Sequence, residues 1–159
     1  MATVEWLADR GQLKRHDPSP LPPRAQVHRR IFLTLDCVAW IEDHLDYAAR
    51  DWNPMVLPCE QVDAFFVDFV IGATMQIGKD LKKLQPIGDN VWEMRTDDVR
   101  VAGFFHKRGT FIATGGGLKK NLKTKKQYQS LIDAAKAAIK TLGLDDPVCI
   151  TGNNANDVL

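Results

Sequence analysis

Between Val91 and Thr114 the chain carries three short apolar runs separated by polar turns. Asp97 and Asp98 divide Val91–Thr96 from Val99–Phe105, and Lys107–Thr110, with Gly109, divides the latter from Phe111–Thr114, the spacing of antiparallel hairpins. In the second run Arg100, Ala102 and Phe104 share one face, and Val99, Val101, Gly103 and Phe105 share the other. Arg95 and Arg100, on neighbouring strands, are placed to converge. Upstream, His28–Leu35 reads as a strand, and Asp36 is placed to cap a helix from Cys37 to about Arg50, with Val38, Ile41, Leu45 and Ala48 at helical spacing. Asn53-Pro54 ends it. A second helix or helix pair is predicted over Glu60–Leu84, where Val62, Phe65, Phe66, Phe69 and Val70 form a core stripe continued by Ile77, Leu81 and Leu84, with a break at Gly72 or Gly78. Lys125–Leu142 forms a last helix with its apolar stripe on Tyr128, Leu131, Ile132, Ala135, Ile139 and Leu142, and Gly143 is its stop. This order predicts an α+β domain over 28–143.

The flanks read differently. Residues 1–27 hold a small apolar patch (Val4, Trp6, Leu7) and then DPSPLPPR, whose prolines forbid a helix and favour an extended arm. The tail, 144–159, offers one short strand at Val148–Thr151 and a loose polar end.

A chain of 159 residues, 45% hydrophobic, suits one domain with tails. No apolar run approaches the roughly 18 residues of a membrane helix, and the N-terminus lacks the apolar core of a secretion signal, so a cytoplasmic location is expected. Cys37, Cys59 and Cys149 are odd in number and widely spaced, which points to buried free thiols rather than disulfides or a zinc site. The net charge of +1 conceals a strong bias: Lys79–Lys126 is +7, with 12 Lys/Arg against 5 Asp/Glu, while the stretches before and after it are −4 and −2. A polyanion senses that local excess, because screening acts over about 8 Å.

The succession WEMR, VRVAGFF, and a third strand running into GLKKNLKTKK and a Lys/Ala-rich helix resembles the phage-derived, HigB-like branch of the RelE/ParE toxin superfamily. Trp92, Glu93, Arg95, Arg100, Phe104, Phe105, Lys119, Lys120, Lys123 and Thr124 fall on the family pattern in order. Leu118, where the family usually has Phe, and the run Gly115–Gly117 depart from it. The resemblance covers roughly Gly78–Leu142. It implies a RelE-like fold: a small antiparallel sheet, made of an N-terminal strand and the three-strand meander, packed on two N-terminal helices, with a C-terminal helix. The first strand must then rejoin the sheet. It also implies a type II toxin that cuts messenger RNA, usually within the ribosome, inhibits translation and is restrained by a cognate antitoxin.

Cleaving RNA without a metal or other cofactor needs a base for the ribose 2′-OH, positive charge on the pentavalent phosphorane and an acid for the leaving 5′-oxygen. Arginine suits the charge role because its planar fork reaches two phosphate oxygens. Arg95 and Arg100 are the candidates, with structural pairing to Glu93, Asp97 or Asp98 as the alternative. Lys119 is a candidate base or phosphate ligand, and Lys120 a phosphate ligand. Lys123, Lys125 and Lys126 add non-specific attraction. His106 has acid–base chemistry but falls at a turn, where solvated histidines are common. Tyr128 can stack on a base or belong to the helix stripe. The glycine run lacks the spacing of a phosphate-binding loop and follows an antiparallel strand; it is read as room for a ligand backbone or for the strand to curl. Two other functions fit the same residues: a non-enzymatic, ParE-like inhibitor of DNA gyrase, and an inactive derivative that keeps an RNA or partner surface.

Overall fold

The computed structural model describes residues 1–50 and 52–159. In chain order the elements are α1 (Val4–Asp9), β1 (Leu13–His16), β2 (Arg30–Thr34), α2 (Leu35–Trp40), α3 (Pro58–Val70), β3 (Leu81–Lys83), β4 (Trp92–Arg95), β5 (Val99–Lys107), β6 (Thr110–Leu118), α4 (Lys125–Thr141) and α5 (Ala155–Val158). The six strands form one sheet in the order β1-β2-β6-β5-β4-β3. β2 pairs parallel with β6, and every other pair is antiparallel. The fold is α+β, but the sheet is mixed and larger than the four antiparallel strands the sequence suggested.

Both extra strands come from segments read otherwise. The supposed N-terminal arm folds back on the body. Thr3 caps α1, Val4 and Leu7 are buried, and β1 pairs with β2 from Leu13↔Thr34 to His16↔Ile31. Only the proline-rich stretch after His16 remains a connection, because prolines cannot donate to a ladder. β3 replaces the second half of the helix predicted to Leu84. The helix stops at Gly72, which takes φ +81°, and Gly78 takes φ +90°, a conformation that favours glycine. Leu81 then pairs with Met94, so its helical spacing from Ile77 is coincidental.

The first predicted helix is also shorter and differently capped. Thr34 Oγ1 accepts the Cys37 amide at 3.3 Å, while Asp36 lies in the first turn of α2. From Ile41 to Leu45 the winding loosens into a π turn, with the Asp46 amide donating to the Ile41 carbonyl at 3.0 Å.

The sheet is covered on both faces. α2, the π turn, α3 and the C-terminal residues Val158 and Leu159 meet the face of Ile31, Leu33, Trp92, Met94, Val99, Val101, Phe105 and Phe111. The other face, with Phe32, Phe104 and Ile112, takes α1, Leu144 and the apolar side of α4. The alternation read for β5 holds. Two bulges interrupt its pairing with β6, one at Ala102/Gly103 and one at Phe105/Lys107.

The tail is anchored rather than loose. Val158 is fully buried, its carbonyl accepts the Gly109 amide at 2.8 Å, and Arg108 donates to the Leu159 carbonyl at 3.0 Å. Val148–Thr151 is not a strand, although the Ile150 amide donates to Phe105 O at 2.9 Å, beside β5 where the short β4 has ended. All three cysteines are free; Cys37 is buried, and burial pushes its thiol up to about 12, whereas Cys59 and Cys149 are half-buried. Among the described residues no helix is long and apolar enough to cross a membrane.

Candidate RNA-binding corner

The meander delivers Arg95 and Arg100 to the same place. β4 and β5 are joined by the tight turn at Asp97-Asp98, so the register sets Arg95 directly opposite Arg100 and Glu93 opposite Ala102. Side chains two apart share a face, which puts Glu93, Arg95 and Arg100 under the N-terminal turns of α4. That helix starts there because Thr124 and Gln127 form a capping box: Thr124 Oγ1 accepts the Gln127 amide at 3.3 Å, and Gln127 Oε1 accepts the Thr124 amide at 2.9 Å. The cap fixes Tyr128 one turn in, half-buried and close enough to Glu93 and Arg100 to influence their titration.

The four groups have unequal access to solvent. Glu93 is 1% exposed and Arg100 4%, whereas the Arg95 side chain keeps 26% of its surface. Arg100 Nη1 donates to the carbonyls of Thr96 (2.5 Å) and Val99 (2.9 Å), which ties the guanidinium to its own turn. Arg95 Nε stands 3.4 Å from Glu93 Oε1, and its Nη1 donates to the Gly78 carbonyl. Among the described residues Glu93 Oε2 and Arg100 Nε are buried without a hydrogen-bond partner, an arrangement that costs stability.

Burial dominates the titration here. It raises the Glu93 carboxyl above its usual value despite the pull of Arg100, Arg95 and Lys82. Burial, then Arg95, lowers the Arg100 guanidinium, with Glu93 and Tyr128 opposing. The Tyr128 phenol is raised by burial and by Glu93, so at neutral pH it is a proton donor.

The lysines form a rim around this buried cluster. β6 ends at Leu118 and turns through a 3-10 segment, Lys119–Asn121, whose first amide donates to the Asp98 carbonyl at 2.7 Å. Lys119, Lys120, Lys123, Lys125 and Lys126 are all exposed. Lys119 Nζ sits 4.7 Å from the ring centroid of Trp52.

His106 does not join the cluster, nor does it lie in a turn. It is within β5, fully buried, and its Nδ1 is 2.8 Å from the Val148 carbonyl near the opposite end of the strand. The second bulge, where Lys107 rather than His106 pairs with Thr110, draws it inside. The glycine run is likewise structural. Gly115, Gly116 and Gly117 lie within β6 opposite Ala102, Val101 and Arg100, and a Cβ on Gly116 would come 2.5 Å from the Trp40 ring. Trp40 and Leu122 fill the room beside Gly116 and Gly117 read as space for a ligand.

In the sequence Glu93 stands as a family-pattern residue and a pairing partner, and Trp52 has no role there. The first signal was present, since i, i+2 spacing puts Glu93 beside Arg95. The second was not, because Trp52 reaches Lys119 only through the fold. No protein-family model matches this chain, and neither a curated protein nor a solved structure matches it.

Proposed function

We propose that this chain is a toxin of the RelE/ParE kind, near the HigB-like branch, that cuts messenger RNA without a metal, inhibits translation on the ribosome and is held in check by an antitoxin. The observation that carries the reading is the register that sets Arg95 opposite Arg100, beside Glu93 and Tyr128 and inside a rim of lysines. The return of β2 to the sheet beside β6, which the family resemblance requires, also favours it.

In this reading the lysine rim gathers the RNA backbone and Arg95, the more exposed of the two arginines, meets the scissile phosphate. Arg100 is a positioning residue that holds Glu93 and Tyr128. Tyr128 passes the ribose 2′-OH proton to Glu93, and solvent water on the exposed Arg95 side protonates the leaving 5′-oxygen.

A second reading rests on the burial of Arg100 and its bonds to Thr96 and Val99: a derivative that binds RNA or a partner and cuts nothing. Induced expression separates the two, with growth and message integrity followed together. A nuclease arrests growth, leaves fragmented messages and loses both effects in Arg95→Ala. Intact messages contradict it, and DNA-damage signalling beside intact messages would point to gyrase inhibition.

A further inference from the structure

Large apolar side chains that stay in water need a reason when the fold holds them there rigidly. Tyr47, Trp52 and Met55 are exposed within the connection from the π turn to α3, and Trp52 keeps 58% of its surface. Yet this connection is fastened. Asp98, buried in the β4–β5 turn, accepts the Trp52 amide on Oδ1 at 2.6 Å and Gln61 Nε2 on Oδ2 at 2.6 Å. Gln61 in turn takes the Asp98 amide and the Thr96 hydroxyl on Oε1, both at 3.0 Å. Asn53 donates to Asp97 Oδ2 at 3.0 Å and accepts the amides of Met55 and Val56 at 2.9 and 3.1 Å. A buried carboxylate and a buried amide therefore hold a tryptophan on the outside.

The place matters as much as the rigidity. The turn that positions Trp52 is the turn that brings Arg95 opposite Arg100, and the amide of Lys119 donates to the same Asp98. The Lys119 ammonium lies over the Trp52 ring. An indole with a cation over it and much of its surface in water, next to a lysine rim, has the composition of a stacking platform for an unpaired nucleobase: the ring takes the base, and the lysines take the flanking phosphates.

We infer that Trp52 stacks on an unpaired base of single-stranded RNA bound along the lysine rim; this rests on the RNA-directed reading above. Charge favours RNA over a protein partner as the occupant, since Lys119, Lys120, Lys123, Lys125 and Lys126 crowd this end of the sheet.

The test is binding of a fluorescein-labelled, unstructured 12-nucleotide RNA to the full chain by anisotropy across a salt series. The variants are Trp52→Phe, Trp52→Leu, Trp52→Gln and Lys120→Ala. Trp52→Leu is expected to weaken binding by about 5- to 100-fold, the range of base–aromatic stacking, with the salt slope unchanged. Trp52→Phe should keep most of the affinity, and Lys120→Ala should reduce the slope by about one. An unaltered melting temperature for Trp52→Leu confirms that the loss is local, and Trp52→Gln, which also removes the ring and suits an exposed site, carries the same comparison if that variant is destabilised. Equal affinity of Trp52→Leu and the parent, with weakening in Lys120→Ala, overturns the stacking inference and leaves the RNA reading intact. A parent chain that binds no RNA at low salt overturns both. Loss of a protein complex in Trp52→Leu, with RNA affinity unchanged, would assign the ring to a protein contact and overturn the inference.

Discussion

Arg100 and Arg95 face one another across two strands but differ in what their removal would do. Arg100 is enclosed, its guanidinium bound to two carbonyls of its own turn, with Glu93 and Tyr128 electrostatically near. Truncation to alanine leaves the Thr96 and Val99 carbonyls without their donor and empties a buried site, and Arg100→Ala is expected to lose about 3 kcal/mol of stability in a denaturant titration. Arg95→Ala leaves Arg100 in place and should lose about 1 kcal/mol. A growth-arrest assay is therefore interpretable with Arg95→Ala, whereas a silent Arg100→Ala reports on folding as much as on chemistry. Comparable stabilities would show that the bonds of Arg100 to Thr96 and Val99 are not a main support of this corner.

His16 provides a pH test at the same scale. Half-buried and edge-on to Phe66, with ring centroids 4.9 Å apart, it lies near Asp63, Asp17 and Lys14. Burial outweighs the two carboxylates and lowers its pKa below the ordinary 6.5. As pH falls through 6.5 the unfolded chain takes up a proton that the folded chain refuses, so His16's contribution, present above that value, is lost as pH falls to the lower, folded pKa. The melting temperature should fall over this window, and His16→Gln should reduce the fall. Parallel curves for the two proteins would contradict this.

Among elements, β6 shows how local chemistry is set by what packs across a strand. Gly116 lies under Trp40, whose ring atoms would stand 2.5 and 2.6 Å from an added Cβ, whereas a Cβ on Gly115 would meet only Leu131 Cδ2 at 3.8 Å. Gly116→Ala is thus expected to cost about 1–3 kcal/mol by overpacking, while Gly115→Ala changes the thermal midpoint little. Equal tolerance at both sites would show that the Trp40 ring gives way.

The same elements explain what was legible in the sequence. Strands β4, β5 and β6 announced themselves because their alternation and turn residues are local signals, and α4 carried an apolar stripe and a glycine stop. β1 and β3 were hidden. Each is short, 4 and 3 residues, and each takes its strand character from its neighbour in the sheet. The corner was half legible: the convergence of Arg95 with Arg100 followed from register. The burial of Arg100, the inward turn of His106 and the approach of Trp52 to Lys119 depend on a bulge, a helix and a loop arriving from elsewhere.

At the scale of the whole molecule, the sheet is a wall with helices on both faces, and the activity proposed here sits at one end of it. That end gathers the β4–β5 turn, the exit of β6, the start of α4 and the connection carrying Trp52. The local charge of +7 over Lys79–Lys126, within a chain of net +1, gives the molecule a basic region that a polyanion would find. In the proposed reading the rim attracts RNA and Arg95 stabilises the phosphate, with Arg100 and Glu93 buried beneath them.

The most direct measurement is primer extension on a reporter message in a purified translation system, comparing the protein with Arg95→Ala, with and without ribosomes. New 5′ ends that require the ribosome and disappear in the variant are the predicted result. Uninterrupted translation with no new ends, from a protein shown to be folded, would contradict the account.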